Sequence, residues 1–159
     1  MIKILALALL LAGCCPSTDN SITLKDFVSL IPKWEVYPDS PYNVVGDNGA
    51  AFGLYQIHKV MVDDYNRIAG SELIHEDALD PITAEHIAYT ILSHYAKHIQ
   101  STGVKPTVDH MLFIWNGGGG AWRRVESPRN DQKQINLNTY KSRATPIITK
   151  YINVQKKRS

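Results

Sequence analysis

Apolar positions recur at helical spacing along most of the chain and at strand spacing in one short window. Phe27, Val28, Leu30, Ile31 and Trp34 share a helix face, and Thr23-Leu24-Lys25-Asp26 ahead of them has the form of a capping box. Pro32 falls inside that pattern, where it removes a backbone donor and predicts a kink or an early stop just before Glu35. Pro38-Asp39-Ser40-Pro41 then predicts a loop. Val60 to Ala69 predicts a helix closed by Gly70. Asp80-Pro81 pairs a cap with a first-position proline and opens a long helix to about Gln100, stopped by Gly103. Thr107 is placed to cap a helix running to Trp115, and Asn138 another toward Val154, bent at Pro146. The β window is Tyr42 to Ile57, where Val44-Val45 and Leu54-Tyr55-Gln56-Ile57 flank the turn chemistry of Gly46-Asp47-Asn48-Gly49. The expected class is mainly α (α+β), helical with one small β-hairpin near residues 43–57.

The start of the chain follows a different logic. Met1-Ile2-Lys3 is positive, Ile4 to Leu11 is an apolar run, and Leu11-Ala12-Gly13-Cys14 is a small-residue cleavage site. The run is too short to span a bilayer and reads as an export signal, residues 1–13. Leu-Ala-Gly-Cys also resembles the bacterial lipobox, which implies lipidation of Cys14 and an anchor and tether over 14–21. Cys15 fits that role less well, because Cys14 would then occupy a small-residue position. Adjacent cysteines are poor disulfide partners, and the chain has no third cysteine, so the fold is not stapled.

Charge changes the picture little. Loss of residues 1–13 removes one lysine and no acid, taking the formal charge from +2 to +1, which makes no case for nucleic acid. Lys141, Arg143, Lys150, Lys156, Lys157 and Arg158 gather near the C-terminus, either as a solvated helix end or as a patch for anionic polymer or lipid head groups. The expected division is a domain over 22–154 and a basic tail over 155–159.

Candidate chemistry lies in one ordered set: Trp34-Glu35, then Gly46 to Ile57, then Trp115-Asn116-Gly117-Gly118. This order resembles the lysozyme-like superfamily, most closely its lytic transglycosylase and goose-type lysozyme branches, over roughly Leu24 to Tyr151. Gly53-Leu54-Tyr55-Gln56-Ile57 is similar to the Gly-Leu-Met-Gln-Ile stretch of that family, and Trp115 to Gly118 to its aromatic-Asn-Gly-Gly turn. The resemblance implies a lysozyme-like fold and cleavage of the MurNAc-GlcNAc β-1,4 bond of peptidoglycan, with Glu35 as the single acid/base. It implies no cofactor and no metal. Gly53, Tyr55, Gln56, Asn116, Gly117 and Tyr140 would shape the cleft, bind sugar or orient Glu35. One departure stands out: the family usually has serine or a similar small residue after this glutamate, and here it is Val36.

Glycoside cleavage needs a proton delivered to a poor leaving group, and a carboxyl with a raised pKa does this best. Glu35 follows a run of apolar residues that can supply the burial. Asp47 is the candidate second acid, and its competing reading is ordinary turn chemistry in Asp47-Asn48-Gly49. With Glu35 alone, the reaction is that of a lytic transglycosylase, in which the sugar's own 6-hydroxyl attacks. With a second acid it is that of a muramidase. A peptidoglycan-binding lipoprotein without catalysis is the alternative that Val36 and Pro32 keep open. Gln56 reads either as a sugar-binding amide or as a strand residue, and Trp122 either as a stacking platform or as core. His94 and His98, four apart, read as helix-flank histidines rather than metal ligands, and Asp63-Asp64 as a solvated acidic pair. The expected partners are peptidoglycan strands and a membrane reached through the lipid. The expected state is a monomer in the cell envelope, on the outer membrane facing the periplasm in a Gram-negative host.

Overall fold

A computed structural model describes residues 22–36 and 41–158. Cys14, Cys15, the export signal and the tether lie outside the described residues, as does most of the loop expected at Pro38–Pro41, Asp39 included. The capping box at Thr23 forms: its hydroxyl accepts from Asp26 N at 3.1 Å, and Asp26 Oδ2 accepts from Thr23 N at 3.3 Å. Helix α1 (Leu24–Leu30) follows and buries Leu24, Phe27, Val28 and Leu30. Pro32 occupies the first position of a separate short helix, α2 (Pro32–Glu35), where its missing N–H costs nothing. Ile31, between the two, keeps helical dihedral angles (φ −49°, ψ −48°), and α1 packs on the later helix Pro81–Ser101 and on the final helix Gln132–Lys156, the second of which also receives α2.

The β region is a three-stranded antiparallel sheet of two-residue strands, β1 (Val45–Gly46), β2 (Ala51–Phe52) and β3 (Ile57–His58), in the order β1-β2-β3. Val45 pairs with Phe52 and Gly46 with Ala51, while Ala51 pairs with His58 and Phe52 with Ile57. This corrects the expectation of a strand over Leu54–Ile57: residues 53–56 are a turn, and Gln56 has a φ of 49°. The turn passes close under the 3-10 helix His75–Leu79. A Cβ on Gly53, whose φ is +70°, would strike the Ala78 carbonyl oxygen.

The helices α3 (Lys59–Ala69), α4 (Pro81–Ser101), α5 (Val108–Gly117), α6 (Arg123–Glu126) and α7 (Gln132–Lys156) complete the body. Asp80 caps α4 by accepting from Thr83 N at 2.8 Å, and Gly70 closes α3 in the left-handed conformation. Ala84, Ile87, Ala88, Ile91, Leu92, Ala96 and Ile99 make α4 the spine of the core. Helix α7 starts well before Asn138, because Asp131 is its cap: Oδ1 accepts from Gln134 N at 2.9 Å and pairs with Arg124 at 2.7 Å. Its buried face then runs Gln134, Leu137, Tyr140, Ala144, Ile148 and passes through Pro146 without a break in the helix. The boundary expected at residue 154 falls inside this helix, since Gln155 and Lys156 are still helical. The result is mainly helical with a small sheet, as the periodicity predicts. Among the described residues no helix is long and apolar enough to cross a membrane.

Replacing Gly53 with alanine tests the crossing of the turn over Ala78. The left-handed φ and the backbone contact should together lower the unfolding free energy by about 2–4 kcal/mol. The check is the urea midpoint; an unchanged value would show that the crossing yields freely.

Candidate active site

Glu35 ends α2 at the edge of a groove of about 420 Å³, whose other lining residues are Asp47, Ala51, Gln56, His58, Met61, Trp115, Asn116 and Arg143. The side chain is half-buried, and two donors converge on one of its oxygens. Trp115 Nε1 on α5 donates to Oε1 at 3.0 Å, and the Tyr140 hydroxyl on α7 donates to the same oxygen in a short hydrogen bond. Tyr140 in turn accepts from Trp34 Nε1 at 2.7 Å, one residue before the acid. Oε2 carries no hydrogen bond among the described residues. A protonated carboxyl thus has its carbonyl oxygen satisfied by the protein and its O–H left for the groove.

Burial pushes the Glu35 carboxyl above its ordinary value of 4.5. The hydrogen bonds from Tyr140 and Trp115 and the charge of Arg143 pull in the other direction and lose to desolvation. Arg143 sits one helical turn beyond Tyr140 with its guanidinium 5.3 Å from that ring. The Tyr140 phenol is itself pushed well up, first by burial and then by Glu35, so it stays a donor.

Asp47 stands at the same groove on the hairpin, exposed, with His58 Nε2 3.5 Å from its Oδ2. Asp47 and Asn48 both hold left-handed φ values, 50° and 54°, which these two residue types tolerate through local side-chain hydrogen bonding. The turn reading of Asp47-Asn48-Gly49 and its position beside the groove are therefore both realised. Gln56 also lines the groove, but its amide nitrogen donates to the Gly53 carbonyl at 2.9 Å and its Oε1 lies against the Cα of Gly46, where any Cβ would collide. Its amide is built into the hairpin rather than joined to Glu35.

Asn116 is exposed and borders both this groove and a larger one of about 720 Å³, which shares His58, Met61 and Trp115 with it and continues past Asp64 and Tyr95. Gly117 lies in α5 at its contact with α7, and an added Cβ there would press on Ala121 and Leu137. Gly53 and Tyr55, like Gly117, do not line the groove of Glu35. Gly53 is buried against Ala78 instead of facing a ligand. Tyr55 is 4% exposed in the core, its phenol raised by burial and by the nearby Glu85 charge.

Three further residues belong to the site. Trp115 serves as a donor to the acid, beyond marking the motif. His58 follows Ile57 directly, and Arg143 is recognisable at i+3 from Tyr140. Asp64 is not part of a solvated pair, since Tyr95 O–H donates to it at 2.8 Å and Arg67 pairs with it. Asp63 does face solvent, bridged to Lys59 at 2.7 Å. His94 packs edge-on to Tyr95, and His98 edge-on to Trp122, which is 6% exposed. The chain matches no protein-family model, no curated protein and no solved structure.

Removing the Tyr140 hydroxyl as Tyr140→Phe leaves the buried Trp34 N–H without its acceptor and should cost about 1–3 kcal/mol in urea unfolding. It should also raise the Glu35 pKa further, because a hydrogen bond that favoured the carboxylate is gone. Retention of full stability would show that the Trp34–Tyr140 bond contributes nothing.

A raised carboxyl also sets the sign of the pH dependence. The native state holds a proton on Glu35 that the unfolded chain gives up near pH 4.5, so its stabilising share is complete below that value. That share is lost as pH rises through the higher native pKa. Thermal unfolding of wild type and Glu35→Gln from roughly pH 4 to pH 8 should therefore show the variant gaining on wild type as pH rises. Parallel curves would contradict the raised pKa.

Proposed function

We propose that this protein cleaves the glycan strands of peptidoglycan as a lytic transglycosylase, with Glu35 as its sole acid and base. The observation that carries the reading is the convergence of Trp115 and Tyr140 on Oε1 of a half-buried carboxyl at a groove. Burial favours the neutral acid, while the two donors and Arg143 favour the carboxylate. A group balanced in this way can give a proton and take one back.

In the first step Glu35 Oε2 protonates the glycosidic oxygen as the bond to the anomeric carbon breaks, and positive charge develops on the sugar. The ionised Glu35 is then stabilised by the same two hydrogen bonds, now from donors to an anion. In the second step the carboxylate accepts the proton of the sugar's 6-hydroxyl as that oxygen attacks the anomeric carbon. The product is a 1,6-anhydro-muramyl end, and Glu35 has regained its proton. Asn116, exposed beside the acid, and the hairpin carrying Gln56 supply polar groups for the acetamido and hydroxyl groups of the sugar. A lysozyme-like scaffold, an anchor on Cys14 and a place in the cell envelope belong to the same proposal.

Asp47 favours one competing reading. It lines the groove and is paired with His58, so a muramidase in which Asp47 positions the attacking water uses the same cleft. A carboxyl on a groove that also contains the hairpin supports an enzyme over a pure binder, which would need no buried acid.

The deciding experiment is mass spectrometry of the soluble fragments released from purified sacculi by wild type and by Glu35→Gln. Anhydro-muramyl products are expected from wild type, and a loss of at least about 100-fold in the variant. Reducing-end products would move the assignment to hydrolysis and to Asp47. Binding of sacculi by both proteins with no release from either would overturn catalysis.

A further inference from the structure

A third groove, of about 750 Å³, opens beyond the glycine turn: Gly117 to Gly119 border the 720 Å³ cleft described above, and Gly120 borders this one. Its chemistry is one-sided. Arg123, Arg124, Arg129 and Lys133 line it together with Trp122, and every one of these side chains can donate hydrogen bonds and none can accept. Arg124 is committed to Asp131 at 2.7 Å. Arg123, Arg129 and Lys133 carry no ion pair among the described residues. The lining carboxylate, Glu126, is held by the buried His110, whose Nε2 is 3.0 Å away. His110 Nδ1 accepts from Thr107 N at 3.0 Å, so the ring proton lies on Nε2 and points at Glu126.

Trp122 forms part of the groove wall. The residue is 6% exposed, yet its Nε1 has no hydrogen-bond partner, the one such buried side-chain atom among the described residues. The other two tryptophans both donate, Trp34 to Tyr140 and Trp115 to Glu35. Trp122 lines the groove, so its indole resonance reports on what binds there. The Arg123 guanidinium, 4.8 Å from the Trp122 ring centroid, is already stacked beside it.

We propose that this groove binds an oxyanion, a phosphate or carboxylate group carried by a ligand, through Arg123, Arg129 and Lys133, with Trp122 as part of its wall. The site lies outside the groove of Glu35 and needs no glycosidic chemistry, so it stands or falls independently of the glycan reading. Arg123 and Arg129 suit it because a guanidinium can grip two oxygens of one group at once.

The test follows the three indole N–H resonances of the nitrogen-15-labelled full chain, assigned with Trp122→Phe. Inorganic phosphate and acetate are titrated separately at an ionic strength held constant with chloride. The Trp122 resonance should move saturably while those of Trp34 and Trp115 stay in place. Arg123→Gln combined with Lys133→Gln should weaken the effect about tenfold or more, with the Trp34 and Trp115 resonances unmoved as the sign of an intact fold. A stronger response to phosphate would identify a phosphate-bearing ligand, and an equal or stronger response to acetate a carboxylate-bearing one. A Trp122 resonance that stays fixed, that follows chloride alone, or that responds undiminished in the double variant would overturn the site.

Discussion

Two hydrogen bonds meet on Oε1 of Glu35, and they come from helices far apart in the sequence. Trp115 brings α5 to the acid and Tyr140 brings α7, while Trp34 ties Tyr140 back to the short helix that carries Glu35. A carboxyl moved away from water must be neutral or hydrogen-bonded, and here it has both options open. The same contacts that compensate its burial join α2, α5 and α7. Structure and chemistry share these atoms, so the groove cannot be remodelled near Glu35 without also disturbing the packing of three helices.

The hairpin meets the acid under a different constraint, that of its own backbone. Asp47, Asn48 and Gln56 all hold left-handed φ values, which side chains other than glycine adopt at a cost. What holds Gln56 there is visible: its amide donates to Gly53, and its oxygen fits over the bare Cα of Gly46. Gly53 in turn lies where the 3-10 helix His75–Leu79 leaves no room for a Cβ. Glycines that resemble a sugar-facing motif are therefore required first by the internal packing of the hairpin. That packing is what presents Asp47 and His58 to the groove.

Helix existence was legible in the chain because the relevant signals are local. Thr23, Asp80 and Thr107 each sit beside the backbone group they cap, and the apolar face behind them repeats every three or four positions. The signals that misled were also local, but tertiary contacts overrode them. Leu54-Tyr55-Gln56-Ile57 alternates like a strand, yet Tyr55 is core and Gln56 must turn left-handed to reach Gly53. The start of α7 was hidden because Gln132, Lys133 and Gln134 show no apolar pattern, and the burial of Gln134 depends on the loop before it. In the site, Glu35 and Tyr140 could be paired through motif order. The donor role of Trp115 could not, because it depends on tertiary packing that brings residues eighty positions apart together. His110 gave no warning either: an apolar helix normally buries hydrocarbon there, and only the caps at Thr107 and Glu126 make an imidazole acceptable.

Pro32 shows how a local defect becomes a device once the fold is known. Read as part of one long helix, it weakens the case for an acid at Glu35, since a proline in a helix interior removes a bond and clashes with the preceding turn. Placed at the first position of a new helix, it does neither, and Ile31 before it keeps helical dihedral angles. Both α1 and the turn after Pro32 lean on α7, where Tyr140 accepts from Trp34 and donates to Glu35. The residue that makes the helix look least able to continue thus sits where its missing N–H costs nothing and Glu35 still reaches its partners.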